Sequence, residues 1–498
     1  MASRHEGSYL YQILQQSNNC TTQKNADQRL LKQASDRDSD REMTDWIPAL
    51  ASIEGPRYLA FVLALEADIA SGRVKPGMRL LPQRDMAQRL ELSVGTISKA
   101  YAEAEQRGLI SGEVGRGTFV QRRRPEPRGL GSSEATINLA LNVPPYTGED
   151  DVISSVLAEI VADGEMSNLL GYLPHQGLRR HREAMVTWLA SLGVTAEADH
   201  LFITHGGQHA LSIALGMVAA SDDIVLTESY TYSGMLALSA QCGYRLHGVA
   251  TDASGLIPES LDRAFTETRA RVLYCMPTLQ TPTGTVMPPQ RRQAIAEIVR
   301  RHDAFLLEDD AYGYLLSPPL PPVSQLIPER SFYIVSFAKC LAPGLRIAAM
   351  IAPEAFRDRS INALRATGWM AVPVMAEVVA RLIYNGGLAR QAKLKRDKAA
   401  LRDAIVRRVL KAWLPAASAA PGFHIWLPLP AGRTLTALIA QAAQAGITLA
   451  PPGALRRMES ESLGVRLCLG APATEADLER ALIEIRRILE MAEAISFV

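Results

Sequence analysis

The chain is 498 residues long and 47% hydrophobic, enough for about three to five globular domains. Its formal net charge of +1 gives no global field toward nucleic acid or membrane, so any basic signal has to be local. Cys20, Cys242, Cys275, Cys340 and Cys468 are widely spaced, with no CxxC or Cys/His cluster, which argues against a disulfide framework and a zinc site and for a reducing, cytoplasmic compartment. No apolar run approaches about 20 residues and the N-terminus is polar, so neither a membrane span nor a signal peptide is expected.

Residues 1–42 are rich in Gln, Asn, Ser, Arg and Asp and bury too little apolar surface to offset ordering entropy; they read as a disordered extension. A domain is expected over 43–120. Tyr58, Val62, Leu65 and Ile69 recur at helical spacing, Lys75-Pro76-Gly77 makes a turn, and Arg84 to Leu90 reads as a second short helix. Ser93 is placed to cap a third helix with Ile97, Ala100, Tyr101 and Ala104 on its inner face, closed by Gly108. Two short strands follow, around Gly115-Arg116-Gly117. Residues 121–136 are rich in Arg, Pro, Gly and Ser and read as a linker.

From 137 to 498 apolar strand-like runs alternate with helical patterns. The candidate strands are 201–204, 224–227, 272–276, 304–307, 333–336 and 347–351. That alternation predicts a mainly parallel α/β sheet with helices on both faces. Long Ala/Leu/Arg-rich helices after about 370, with strands near 424–427 and 465–469, predict a smaller C-terminal α+β lobe.

Helix, turn, helix and hairpin make the plan of a winged helix-turn-helix, a small α+β unit that reads double-stranded DNA. Gly95, Thr96, Ser98 and Lys99 would form its outward reading face, with Arg84 near a phosphate and Arg116 at the wing tip. Residues 73–124 carry 11 Lys/Arg against 5 Asp/Glu, a local net of +6 that suits phosphate contact. A helical interaction domain with a solvated basic face is the alternative. The string from Pro76 to Val120 resembles the GntR-type winged helix-turn-helix at Gly77, Leu80, Pro82, Arg84, Ala87, Ala100, Tyr101, Gly108, Leu109 and residues 115–120. It departs where Val94 stands in place of the usual Arg or Asn, leaving Thr96, Ser98 and Lys99 to read the operator.

Two further motifs end strands. Ser336-Phe337-Ala338-Lys339 precedes Pro343-Gly344-Leu345-Arg346, and Thr204-His205-Gly206-Gly207-Gln208 opens a helix. A lysine amine, backbone N–H groups at a helix start, hydroxyls and arginines are what pyridoxal 5'-phosphate requires. Lys339 would take its aldehyde as a Schiff base, while Ser336, Arg346, Gly206 and Gly207 would take its phosphate, with Gln208 adjacent. A carboxylate from Glu308-Asp309-Asp310, at another strand end, would keep the pyridine nitrogen protonated.

The run SFAKCLAPGLR resembles the lysine motif of class I/II aminotransferases, and the resemblance extends over about 140–495. It implies Asp309 at the pyridine nitrogen rather than Asp310, Tyr312 at the ring hydroxyl, and Tyr232 rather than Tyr230 stacked on the ring. It also implies Arg466 at a substrate or effector carboxylate, and Tyr172 reaching the phosphate of a partner subunit. Thr281 stands where the family's PxxQNPTG motif has Asn, and offers only a shorter hydroxyl. With the front domain, the chain resembles the MocR subgroup of GntR-type regulators, which implies a head-to-tail homodimer responding to pyridoxal phosphate or an amino compound. Lys339, Asp309 and Tyr312 would also serve a working aminotransferase, the alternative reading.

Overall fold

The computed structural model describes residues 46–50, 55–75, 77–106, 109–113, 117–120, 136–415, 420–451 and 463–495. Gly108, Arg116, the 1–42 extension and the linker up to residue 135 lie outside them. The chain separates into two compact units, dividing between residues 126 and 127.

In the first unit, helices α1 (Arg57–Ala70), α2 (Gln83–Arg89) and α3 (Val94–Gln106) precede an antiparallel hairpin, β1 (Ile110–Glu113) and β2 (Gly117–Val120). Phe61, Leu65, Met86, Ile97, Ala100 and Tyr101 meet in its core. Ser93 caps α3, its Oγ accepting from the Thr96 amide at 3.1 Å, an interaction worth about 1 kcal/mol. The Tyr101 hydroxyl, on the buried face of α3, donates to the Leu81 carbonyl at 2.7 Å and ties α3 to the turn before α2.

In the second unit the central sheet has seven strands: β3 (Leu201–Thr204), β4 (Ile224–Glu228), β5 (Arg245–Val249), β6 (Val272–Cys275), β7 (Phe305–Asp309), β8 (Ser331–Ser336) and β9 (Ala348–Ile351). Their spatial order is β3-β9-β8-β7-β6-β4-β5. Only β9 runs against its neighbours, pairing antiparallel with β8 and β3. The sheet is thus mainly parallel, as the alternation implied, and its inner strands are largely buried and apolar on both faces, whereas the edge strand β5 begins with an exposed Arg245. β9 reverses because just 11 residues join it to β8, too few for the crossover that a parallel return needs.

The last part holds the long helix α4 (Gly387–Val409), an antiparallel pair β10 (His424–Pro428) and β11 (Gly464–Cys468), and α5 (Glu475–Ile495). This lobe has its own apolar core, including Val406, Leu427, Leu467, Leu482 and Ile485. The short strand Ile137–Asn138 pairs with Ile447–Thr448, drawing the segment around residue 140 into the lobe. Among the described residues no helix is long and apolar enough to cross a membrane, and no group of His, Cys, Asp or Glu side chains is placed to hold a metal ion.

Candidate cofactor site

A parallel sheet delivers the carboxyl ends of its strands to one edge, where ligands settle. Here β3 ends at Thr204, β4 at Glu228, β6 at Cys275, β7 at Asp309 and β8 at Ser336. Because β9 runs the other way, its beginning lies on the same edge: Ser336 pairs with Ala348, and Ala348 with Thr204. Arg346, two residues before Ala348, is thereby brought to the turn after β3, where its Nη2 donates to the His205 carbonyl at 3.3 Å.

The last position of that turn before the helix favours glycine. Gly206 has φ +83°, and a Cβ there would stand 2.6 Å from Arg346 Nη2. The helix Gly207–Val218 starts immediately after, so its first-turn N–H groups lie beside the Arg346 guanidinium. Gln208 Nε2 donates to the Gly234 carbonyl at 2.8 Å, joining this turn to the start of the helix Ser233–Cys242 that follows β4. Ser336 caps the short helix Phe337–Cys340 by accepting from the Ala338 amide at 3.3 Å.

Strand alternation sorts the three consecutive carboxyls. Glu308 and Asp310 share a face. Glu308 accepts from the Val323 and Ser324 amides at 3.2 and 2.7 Å, and Asp310 accepts from the Tyr333 hydroxyl at 2.7 Å and the Gly313 amide at 2.6 Å. Both are spent on structure. Asp309 faces the other way and accepts from the Tyr274 hydroxyl at 3.2 Å. Burial pushes the Asp309 carboxyl up to about 7, against the opposing pulls of Tyr274 and Lys339. Such an acid is short of a cationic partner.

Lys339 leaves β8 on the same short helix, and its Nζ donates to the main-chain carbonyl of Asn142. Burial pulls the ammonium down to about 8, with Arg466 adding to the effect and Cys468 and Asp309 opposing it. A lysine at that value holds an appreciable share of neutral amine near neutral pH, the form that attacks an aldehyde. Tyr312 is buried; its oxygen accepts from Asn142 Nδ2 at 2.8 Å, and the Thr281 side chain is among its polar neighbours. Arg466, on β11, donates to the Ala140 carbonyl at 2.9 Å.

The edge therefore brings together Lys339, Asp309, Tyr312, Thr281, Tyr232, Arg346, Arg466, Ser336 and the Gly206–Gln208 turn; the Tyr232 phenol feels the charges of Asp309, Arg346 and Arg466. Tyr230 instead packs on Trp426, ring centroids 5.0 Å apart. Tyr172 stands apart from the cluster, 86% exposed, with its ring 5.6 Å from Trp369. Asn142, Tyr274 and His424 were not legible as site residues, since none sits in a recognisable local motif.

In the first unit, Arg84, Gly95 and Lys99 are exposed while Thr96 and Ser98 are half-buried. The Ser98 hydroxyl donates to Gln83 Oε1 at 2.7 Å and the Thr96 hydroxyl lies 2.8 Å from Ser93 Oγ, so both are partly committed within the domain. Lys99 Nζ lies 4.0 Å above the Tyr58 ring.

The model of aminotransferase class I and II matches residues 134–485, most of the chain. The chain belongs to that family. The bacterial regulatory protein gntR family model matches residues 57–120, so a GntR helix-turn-helix domain is fused in front, which is the MocR arrangement. An uncharacterized HTH-type transcriptional regulator of Bacillus subtilis, YdeF, is 28% identical over 89% of this chain and 97% of its own. The pyridoxine biosynthesis regulator PdxR of Corynebacterium glutamicum is 26% identical over 69% of this chain and 76% of its own. Among solved structures, a kynurenine aminotransferase of Pyrococcus horikoshii matches with TM-score 0.65 and 23% identity, covering 73% of this chain and 96% of that one, a likeness of fold.

Proposed function

We propose that this chain is a DNA-binding transcription regulator whose aminotransferase-like domain holds pyridoxal 5'-phosphate and senses an amino compound. The observation that carries the reading is the joining, in one chain, of a GntR-type domain to a lysine-centred site with both charge partners at hand.

The residues fit the cofactor. Gly206 leaves a cradle that a side chain would fill, next to a helix start and the Arg346 guanidinium, which suits a phosphate dianion. Ser336 adds a hydroxyl, and Gln208 fixes the turn. Asp309, raised by burial, suits a protonated pyridine nitrogen. Tyr312 and Thr281 present hydroxyls for the ring oxygen, and Tyr232 an aromatic face. When bound, the cofactor supplies an aldehyde that condenses with primary amines. Lys339 anchors it and stores a proton at Nζ; Arg466 orients a carboxylate on the incoming compound.

Arg84, Gly95, Thr96, Ser98, Lys99 and Arg116 form the DNA-contacting set in this reading, and the protein works in the cytoplasm on an operator. A head-to-tail homodimer would pair two such domains; the exposed Tyr172, at 86% in the single chain, supports a role toward the partner's phosphate. Control requires that the amine bind two arrangements of the protein with different affinity.

The test follows operator-DNA affinity and keto-acid release together, with pyridoxal phosphate and a panel of primary amines present. An amine-dependent change in DNA affinity is expected. Sustained conversion of amino acid to keto acid with DNA affinity unmoved would replace the reading with an aminotransferase carrying an accessory DNA domain.

A further inference from the structure

Three acceptor and donor groups of Asn142, its main-chain carbonyl and the two ends of its side-chain amide, bear on the cofactor edge, and two of these are occupied. Its main-chain carbonyl receives Lys339 Nζ. Its Nδ2 lies 2.8 Å from the Tyr312 oxygen and 3.4 Å from His424 Nδ1. Which end of the amide faces these groups follows from the histidine. His424 Nε2 is 2.9 Å from the Gln280 carbonyl, which can only accept. Nε2 therefore carries the proton, and Nδ1 presents a lone pair. His424 is 3% exposed, and burial pulls its pKa down to about 3, so the ring is neutral and this tautomer persists through the physiological range. A lone pair needs a donor, so the nitrogen of the Asn142 amide faces the ring and the oxygen faces away.

That oxygen, Oδ1, is buried and has no hydrogen-bond partner among the described residues. A buried amide oxygen is normally hydrogen-bonded, because leaving it without a partner forfeits its hydration with no return. Asn142 thus offers two acceptors a few bonds apart: one holds the lysine amine and the other waits for a donor. With pyridoxal phosphate bound, Lys339 and an incoming primary amine would each need an acceptor in this small space. The pair of acceptors matches that need.

We propose that Asn142 Oδ1 receives an N–H of the incoming primary amine, so that Asn142 reads the amino end of the ligand while Arg466 reads its carboxylate. This rests on the reading of the site as one for pyridoxal phosphate and an amine. Asn142 here selects for the amino group and orients it; His424 and Gln280, behind it, fix the direction in which its oxygen points.

The experiment uses the full chain loaded with pyridoxal phosphate and follows its visible absorbance during titration with methylamine and with L-alanine, and with propionate as a competitor of L-alanine. Asn142→Leu and Asn142→Ala should each weaken methylamine and L-alanine by on the order of tenfold while the propionate inhibition constant stays where it was. Asn142→Asp keeps an acceptor oxygen and should bind both amines clearly better than Asn142→Ala. Arg466→Ala should do the reverse of the first two, losing L-alanine and propionate but sparing methylamine. Amine affinities unchanged in Asn142→Leu and Asn142→Ala would overturn the proposal. So would a loss of propionate equal to the loss of amine, which marks a pocket that has merely shifted, or equal behaviour of the Asp and Ala variants. If the parent protein's DNA affinity ignores amines, the regulatory reading fails, yet this titration still decides the role of Asn142.

Discussion

The Tyr274 hydroxyl donates to Asp309 Oδ2 across 3.2 Å, yet the carboxyl still titrates near 7, because burial outweighs that one bond. In the proposed reading, Asp309 is a desolvated acid that pairs with a cation arriving with the ligand. Replacing it with Asn should weaken pyridoxal phosphate binding by on the order of 100-fold, the cost of breaking a buried charge pair. The same change should help the cofactor-free protein. A carboxyl whose folded value is raised supports the fold at low pH, and that support is lost as pH rises from about 4 through about 7. Glu228 and Glu308, also pushed up to about 7 by burial, add to the same fall, so Asp309→Asn removes only its own share. Thermal denaturation of the cofactor-free proteins at pH 5 and pH 7.5 should show a smaller drop in Tm for the variant; a larger drop would contradict the burial of that charge.

The neighbouring carboxyl should behave differently. Tyr333→Phe strips the hydroxyl from buried Asp310 and should cost about 1–3 kcal/mol of stability, with cofactor affinity nearly unchanged. Tyr274→Phe should instead move cofactor affinity, since its hydroxyl serves Asp309. Chemical denaturation and an absorbance titration on both variants separate the two roles.

Gly206→Ala would place a methyl on the Arg346 guanidinium and force φ +83° on an L side chain. About 1–3 kcal/mol of stability should be lost. Affinity for pyridoxal phosphate should fall much more than affinity for pyridoxal, which lacks the phosphate. Equal losses for the two would place the phosphate elsewhere.

On the DNA-binding unit, Lys99→Ala and Arg84→Ala should each reduce the salt-dependence slope of DNA binding by about one. Ser98→Ala should change it little, because the hydroxyl is bonded to Gln83 Oε1. Binding isotherms over a range of salt concentrations check all three.

The features legible in the amino-acid sequence are those written in one stretch of chain. The strands, the Ser93 cap, the lysine motif and the glycine turn each declare themselves within about ten residues. The residues that escaped reading act across long separations. Asn142 meets Tyr312 from 170 positions away and His424 from 282, and only the fold brings them together. The choice of Asp309 over Asp310 needed the family resemblance in the sequence, whereas in the structure Asp309 accepts from Tyr274 while Asp310, just past the end of β7, is held by Tyr333 and Gly313. The reversal of β9, which carries Arg346 to the turn before Gly207, is a matter of connection length that apolar alternation does not encode. The bond from Ser98 to Gln83 on the preceding helix likewise spans 15 positions and is not written locally.

The central claim is that a cofactor anchored at Lys339 governs DNA binding. The most direct measurement compares the operator-DNA affinity of the parent chain and of Lys339→Ala, each with and without pyridoxal phosphate and a primary amine. The parent's affinity should change when cofactor and amine are supplied, while the variant, its DNA-binding unit still folded, should bind DNA with one affinity under every condition. A variant that responds as the parent does would contradict the account.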